Sequence, residues 1–160
     1  MIERFTDLPY SELEPLIEES RHDGFRFLAT LRSEWSRGEN RFNRNHEGFF
    51  GYRLKDELVA VGGLNEDPYS TNHRIGRLRR FYVKKSERRK GIGRTLVGHI
   101  LNKAKNRFVW IRLRTDTLAA SKFYESLGFL ATEASTHATH ELNLENSNVV
   151  AMLADRHRHR

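Results

Sequence analysis

The chain has 160 residues, of which 38% are hydrophobic, and this size suits one compact domain around a single core. It carries a formal net charge of +7 and contains no cysteine, which excludes a disulfide framework, a thiolate metal site and a cysteine nucleophile. No apolar run is long enough to cross a bilayer, and the first ten residues carry charges that do not fit a secretion signal, so we expect a cytoplasmic protein without membrane contact.

The first third of the chain predicts one short strand and two helices. Residues 2–5 favour the strand. Ser11 and Glu14 have the spacing of a capping box, and apolar residues recur at helical spacing after them. A second apolar face predicts a helix over residues 25–37, and the polar residues 38–47 predict a loop.

The middle of the chain predicts a hairpin and a third, longer strand. Residues 48–54 and 58–64 are rich in aromatic and β-branched residues, and the charged residues 55–57 between them predict a turn. A turn-rich segment, residues 65–73, then leads into a strand over residues 75–83.

The last third predicts two helices and three strands. Apolar residues recur at helical spacing over residues 92–104 and give the strongest helical pattern in the chain. Residues 108–113 predict a buried strand, and residues 118–127 predict a short helix that a glycine ends. Residues 129–133 and 136–144 predict two more strands.

A basic, glycine-containing turn joins the strand at residues 75–83 to the helix at residues 92–104. Residues 74–94 hold ten lysines and arginines against one carboxylate, Glu87. Glycines let the backbone approach a ligand closely, and the amides and dipole of a helix start favour an anion. The turn therefore predicts a phosphate site, with a solvated charged face as the alternative interpretation.

The turn does not match the two common nucleotide-binding motifs. A Walker loop needs the spacing Gly-x-x-x-x-Gly-Lys-Ser/Thr, which does not occur in the chain. The dinucleotide fingerprint fails because Leu96 stands where its third glycine is required. Spacing thus excludes both of these site types.

Two separated motifs carry a family resemblance. The first is Arg88-x-x-Gly91-x-Gly93, and the second, about thirty residues later, is the Ala-x-x-Phe-Tyr-Glu-Ser-Leu-Gly-Phe of residues 120–129. In this order they resemble the GNAT superfamily of acyl-CoA-dependent N-acetyltransferases. The order of the predicted elements also follows that family over nearly the whole chain.

The resemblance implies an α/β fold of the α+β, mixed-sheet kind. We expect a single GNAT-like domain over residues 1–145, with a central, mostly antiparallel sheet of six to seven strands that is splayed in the middle and has helices on both faces. Residues 146–160 are expected to form a peripheral basic tail. The oligomeric state stays open, a homodimer included.

The resemblance also implies acetyl-CoA as the acyl donor. Backbone groups of Phe81, Tyr82 and Val83 are expected to pair with the pantetheine arm as an added strand would, which requires an open sheet edge. The pyrophosphate is expected in the turn, in contact with Arg88, Arg89, Lys90, Gly91, Ile92, Gly93 and Arg94. Thr117 is a further candidate contact to the arm. Arg89 stands where the family often has glycine, so its backbone is expected to avoid positive φ.

The implied chemistry is direct attack of a neutral amine on the thioester, through a tetrahedral oxyanion, with the thiolate as leaving group. Tyr124 matches the family's frequent general acid, while ordinary packing beside Phe123 is the alternative role. No carboxylate lies within residues 75–83, where several family members carry a glutamate. Four loop residues are candidate bases, Glu66, Asp67, His73 and Asp116, but we expect deprotonation through water. No metal is predicted.

The acceptor is expected to be a small-molecule or peptide amine. In the family it enters beside the first two helices and the last strands, where this chain offers Arg21, His22, Phe25, Trp35, Tyr52 and Tyr69, although ordinary packing is the favoured role for each of them. Basic charge suits an acidic or phosphorylated acceptor, but the cofactor's phosphates explain the same charge. Two other classes stay open: a non-catalytic acyl-CoA sensor or adaptor and, ranked last, a nucleic-acid-binding module, for which no recognition motif is present.

Overall fold

The structure, a computed structural model, describes residues 1–145 and Leu153. Its strands are β1 (Ile2–Arg4), β2 (Gly48–Leu54), β3 (Glu57–Glu66), β4 (Ile75–Val83), β5 (Trp110–Leu113), β6 (Leu130–Ala131) and β7 (His140–Asn143). Its helices are α1 (Tyr10–His22), α2 (Phe27–Ser36), α3 (Ile92–Ala104) and α4 (Leu118–Ser126). None of these helices, within the described residues, has the length and apolar character of a membrane span.

The seven strands described form one sheet in the order β1–β2–β3–β4–β5–β7–β6. Every neighbouring pair is antiparallel except β4 and β5, which run parallel. The predicted fold, a mixed and mostly antiparallel sheet in an α/β domain, is confirmed. The predicted tail, residues 146–160, lies outside the described residues except for Leu153, which is buried in the core.

Each face of the sheet is covered by a pair of helices. On one face α3 buries its apolar stripe, including Leu96, Val97 and Ile100, in a core to which α4 contributes Tyr124. On the other face α1 and α2 form a second core, whose helical members are Leu13, Leu16, Ile17, Leu28, Leu31 and Trp35. Burial on both faces makes the sheet the central layer of the domain.

The sheet opens between β4 and β5. Strand β4 has nine residues, but only Ile75, Gly76 and Arg77 pair with β5. A bulge adds to the divergence, because Arg80 and Phe81 together stand opposite the single residue Gly62. Arg80 has a φ of 56° at this bulge. The splayed centre that the resemblance implied is therefore present.

The predicted capping box at the first helix is wrong. Helix α1 begins at Tyr10, its N-cap is Pro9 and no side chain caps it. Leu13 donates from its amide to the Pro9 carbonyl at 2.9 Å, so the first helical bond forms two residues earlier than the pattern predicted. Glu14 instead accepts from Arg32 of α2 and links the two helices.

The polar loop at residues 38–47 contains a core residue that the sequence pattern did not reveal. Phe42 is buried and has a φ of 50°. Its ring lies 5.3 Å from that of Phe49 and 6.3 Å from that of Trp35, measured between centroids. This contact anchors the loop to the core beneath α2.

Candidate functional site

The edge of β4 beyond Arg77 is the central feature of the site. No described strand pairs with residues 78–83 on the β5 side, so this edge offers unpaired backbone groups inside the sheet. Phe81 and Tyr82, two of the predicted cofactor contacts, lie on this edge with opposite orientations. Phe81 packs against the α3 core and Tyr82 joins the α1–α2 core. Such an edge can accept an extended ligand through main-chain hydrogen bonds.

Arg88 is held at the end of this edge. Its Nε donates to the Val83 carbonyl at 2.9 Å, and its guanidinium lies 5.2 Å from the centroid of the Tyr82 ring. The Val83 carbonyl therefore already accepts one hydrogen bond. A ligand that pairs with Val83 must use the second lone pair or displace Arg88.

The turn that follows leads into an uncapped helix start. Gly91 is the N-cap of α3, has a φ of 84° and leaves the first turn of the helix without a side-chain cap. Gly93 lies tightly against its surroundings, since a Cβ there would be 3.2 Å from Phe123 and 3.3 Å from Val83. The amides of Ile92 and Gly93 thus begin a helix pressed against β4. The turn and its dipole fit an anionic group such as a pyrophosphate.

The basic side chains of the turn differ in their partners. Lys90 pairs with Glu87 at 3.0 Å, and Arg94 lies part-buried in the first turn of α3. Arg89 is exposed, and it forms no ion pair with a described residue. The expectation that Arg89 avoids positive φ is wrong, because its φ is 64°. The tight turn before Gly91 holds it there, although the left-handed region costs a non-glycine residue about 1–2 kcal/mol.

Tyr124 lies on α4 beside the bulge of β4. Its ring centroid is 6.1 Å from that of Phe81, 5.1 Å from that of Phe123 and 5.7 Å from that of Phe129, each in an edge-to-face arrangement. The residue is 7% exposed, and its hydroxyl makes no hydrogen bond with a described residue. Burial raises the pKa of the Tyr124 phenol above its usual value, so the group keeps its proton at neutral pH.

Thr117 has a structural role that the sequence did not reveal. It is the N-cap of α4, and its Oγ1 accepts a hydrogen bond from the Ala120 amide at 3.1 Å. Such a cap stabilises a helix by about 1 kcal/mol. Thr117 therefore fixes the start of the helix that carries Tyr124, and its hydroxyl keeps a proton and one lone pair for a ligand.

The four candidate bases all have partners. Glu66 contacts His73 and also pairs with Arg44 at 3.3 Å. Asp67 is buried and pairs with Arg77 at 3.6 Å, while Asp116 pairs with Arg114 at 3.5 Å on the surface. The geometry singles out none of them as a base.

Of the candidate acceptor contacts in the described part of the chain, only Tyr69 combines an exposed side chain with a stacked ring and a nearby guanidinium. Its ring is 49% exposed, stacks on His137 at 4.0 Å with an interplanar angle of 4°, and lies 4.8 Å from the Arg77 guanidinium. Trp35 is a core residue, Arg21 pairs with Glu18 on the surface, Phe25 packs on Phe27, and Tyr52 packs against the α3 core. His22 is exposed.

Comparison with known proteins places these features in a family. The family model described as the acetyltransferase (GNAT) family matches residues 9–129. This span includes the open strand edge, the glycine turn and Tyr124. No curated protein sequence matches the chain.

Solved structures show the same arrangement of elements. A protein from Exiguobacterium sp. 255-15, described as an acetyltransferase, is 27% identical, has a TM-score of 0.80, and the match covers 95% of this chain and 96% of that one. A GNAT-family acetyltransferase from Staphylococcus aureus Mu50 is 16% identical, with a TM-score of 0.69 and coverage of 90% and 99%. A protein from Klebsiella pneumoniae, described as an acyl-CoA N-acyltransferase, is 18% identical, with a TM-score of 0.65 and coverage of 90% and 97%. The last two likenesses show a common fold.

Proposed function

Since the chain belongs to the GNAT family of acetyltransferases, we propose that it transfers an acetyl group from acetyl-CoA to a primary amine by direct attack. One observation carries the proposal: the unpaired edge of β4 leads, through the basic turn at residues 84–91, to the uncapped, glycine-led start of α3. An extended arm with a diphosphate at one end matches that sequence of features. The acceptor is a small molecule or a peptide.

The donor is held by two kinds of contact. Backbone groups of Phe81, Tyr82 and Val83 pair with the pantetheine arm. The diphosphate is bound by the amides of Ile92 and Gly93, with Gly91 shaping the turn and Arg88, Arg89, Lys90 and Arg94 supplying positive charge. Thr117 offers its hydroxyl proton to the arm. Acyl-CoA supplies the acyl group in activated form, as a thioester.

Tyr124 acts as the general acid. Its phenol is protonated at neutral pH and has no hydrogen-bond partner in the described residues, so it is available to donate to the departing sulfur. The bulge at Arg80 and Phe81 leaves amides out of register with β3, and such amides can donate to a developing oxyanion. A primary amine has a pKa of roughly 10, and water removes its proton before attack.

The test is a binding and turnover experiment. Acetyl-CoA, propionyl-CoA and CoA are titrated into the protein by calorimetry, and thiol release is followed with a panel of amines, amino acids, peptides and amino sugars. We expect binding of all three, with release fastest for acetyl-CoA. If none of the three binds, the donor site is refuted. If all bind but no acceptor is acylated, the sensor or adaptor alternative replaces the enzyme.

A further inference from the structure

Five arginines gather on the α1–α2 side of the sheet, where β4 and β5 separate. Arg77, Arg79 and Arg80 belong to β4, Arg112 belongs to β5, and Arg114 follows β5. Arg77 and Arg112 are paired neighbours in the parallel ladder, so their side chains share a face. Arg79 is opposite Gly63, whose added Cβ would meet Phe42 of the α1–α2 core, and this places Arg79 on the same face.

The bulge brings one more cation to this face. In a regular strand Arg79 and Arg80 would point to opposite faces. Here Arg80 has a φ of 56° and its Nη2 donates to Glu34 of α2 at 2.8 Å. Both guanidinium groups therefore lie on the α1–α2 side.

Four of the five arginines are neutralised by a carboxylate. Arg77 pairs with Asp67 at 3.6 Å, Arg80 with Glu34 at 2.8 Å, Arg112 with Glu141 at 3.3 Å, and Arg114 with Asp116 at 3.5 Å. Arg79 has no carboxylate partner among the described residues. Its only polar contact there is a long one of 3.5 Å, from Nη1 to the Asn65 Oδ1.

Arg79 is thus a part-buried cation without a counter-ion. Burial lowers the pKa of its guanidinium and the positive charge of Arg80 lowers it further, while Glu34, which is already paired with Arg80, opposes this only in part. A part-buried charge without a partner costs free energy, so its presence calls for an explanation beyond folding. A second donor lies nearby, since the Nη1 of Arg77 is buried and makes no hydrogen bond.

Arg79 lies away from the turn that is proposed to bind the diphosphate. That turn follows Val83, four residues further along the strand, which is about 13 Å in an extended chain. Arg79 instead lies two residues before Phe81, which Tyr124 contacts from the opposite face. Arg79 therefore lies beside the opening of the sheet, on the face opposite to that of Tyr124.

We propose that Arg79 binds an anionic group, a carboxylate or a phosphate, that the acceptor carries close to its reacting amine. The inference rests on the proposed acyl transfer and narrows its acceptor class to amines with a negative charge. Arg77 contributes its Nη1, which makes no hydrogen bond with a described residue although it lies 3.6 Å from the Asp67 carboxylate. The exposed Tyr69, whose ring lies 4.8 Å from the Arg77 guanidinium, covers one side of the site.

Matched pairs of acceptors test the proposal with the wild-type protein. The pairs are phosphoethanolamine with ethanolamine and glycine with glycinamide, which also separate phosphate from carboxylate. We expect kcat/KM to be at least about tenfold higher for the anionic member of one pair, as a charge-assisted hydrogen bond allows. Equal rates within both pairs would overturn the proposal, and so would faster reaction of the neutral amines.

Variants test whether Arg79 is the residue that causes the preference for anionic amines. Arg79→Gln is expected to remove the preference for the anionic amine while the affinity for acetyl-CoA stays within about twofold, and Arg79→Lys is expected to keep part of it. Arg74→Gln removes one exposed charge outside the cluster and should keep the full preference. An Arg79→Gln protein that retains the preference, with an unchanged melting temperature, contradicts the assignment.

The proposed transfer and the anion site can fail separately. Binding of each acceptor to the protein saturated with CoA is measured by calorimetry, without turnover. If no amine is acylated but the anionic amines bind in an Arg79-dependent manner, the transfer proposal fails and the anion site stands. If transfer occurs without any dependence on the acceptor's charge, the anion site fails and the transfer proposal stands.

Discussion

The rings of Tyr124 and Phe81 meet edge to face with 6.1 Å between their centroids. This contact joins α4 to the bulge of β4, at the point where the sheet opens. Phe81 also stacks on Phe123 at 5.8 Å, and Phe123 and Phe129 each contact Tyr124, so three aromatic rings hold the phenol in one orientation. A side chain held in this way beside an open strand edge suits proton donation, because its position is set before any ligand binds.

Tyr124→Phe is expected to lower kcat by a factor on the order of a hundred, the scale of a lost general acid. The hydroxyl makes no hydrogen bond with a described residue, so its removal should leave the melting temperature and the affinity for acetyl-CoA nearly unchanged. Steady-state kinetics and calorimetry measure the three quantities. Tyr52→Phe, on the β1–β2 side of the sheet, is the matched control. Full activity of Tyr124→Phe would refute the acid role.

The raised pKa of Tyr124 predicts how stability varies with pH. In the unfolded chain the phenol titrates at its ordinary value of roughly 10, whereas burial holds the folded-state value above that. The contribution of the buried phenol to the free energy of unfolding is thus complete below pH 10, and it is lost as the pH rises towards the folded-state pKa. Between pH 9 and 11 the melting temperature of the wild type should fall more steeply than that of Tyr124→Phe. If the melting temperatures of the two proteins fall equally over this pH range, titration of Tyr124 is not the cause of the loss of stability.

Gly93 and Gly98 form a matched pair on α3. A Cβ at Gly93 would press on Phe123 at 3.2 Å and on Val83 at 3.3 Å, whereas one at Gly98 would meet, among the described residues, only the Leu153 Cβ, at 3.4 Å. Gly93→Ala should shift the helix start, lower the stability by roughly 1–3 kcal/mol and weaken acetyl-CoA binding. Gly98→Ala should gain helix propensity, up to about 1 kcal/mol, and keep the affinity. Urea denaturation and calorimetry compare them, and equal effects on affinity would show that the Gly93 contacts are unimportant.

The buried pair of Arg77 and Asp67 predicts a strong coupling in stability. The side chains are 7% and 0% exposed, and the two groups lie 3.6 Å apart. Arg77→Met leaves the Asp67 charge buried without its partner and should cost roughly 3–5 kcal/mol. Adding Asp67→Leu removes that charge and should recover most of the loss. Urea denaturation of the two single variants and the double variant gives the coupling, and additive effects would contradict it.

Elements defined by local patterns were predictable from the sequence. The apolar stripe of residues 92–104 became α3 with the same bounds, and the hairpin of β2 and β3 turns at Lys55 and Asp56, which have φ values of 51° and 67°. The glycine turn before α3 was also recognised, because its residues are contiguous. Each of these features depends on neighbours in the chain.

Features that depend on distant contacts were not predictable. The start of α1 is set by the Pro9 carbonyl, and the Ser11 and Glu14 pattern gave a false cap. The positive φ of Arg89 contradicts its residue type. The sequence could not divide the basic residues of positions 74–94 between a cofactor and an acceptor. That division needs the bulge, which places Arg79 and Arg80 on one face.

The short ladder between β4 and β5 predicts an unusual pattern of amide protection from hydrogen exchange. In most domains the amide hydrogens in the middle of a sheet exchange most slowly with solvent. Here the middle contains an edge, because only three residues of β4 pair with β5. Exchange should therefore be fast along part of β4 in the unliganded protein and slow once an extended ligand lies against it. Hydrogen exchange would therefore detect ligand binding at the centre of the sheet. A ligand bound there would lie between the strands on the β4 side and those on the β5 side and would connect them.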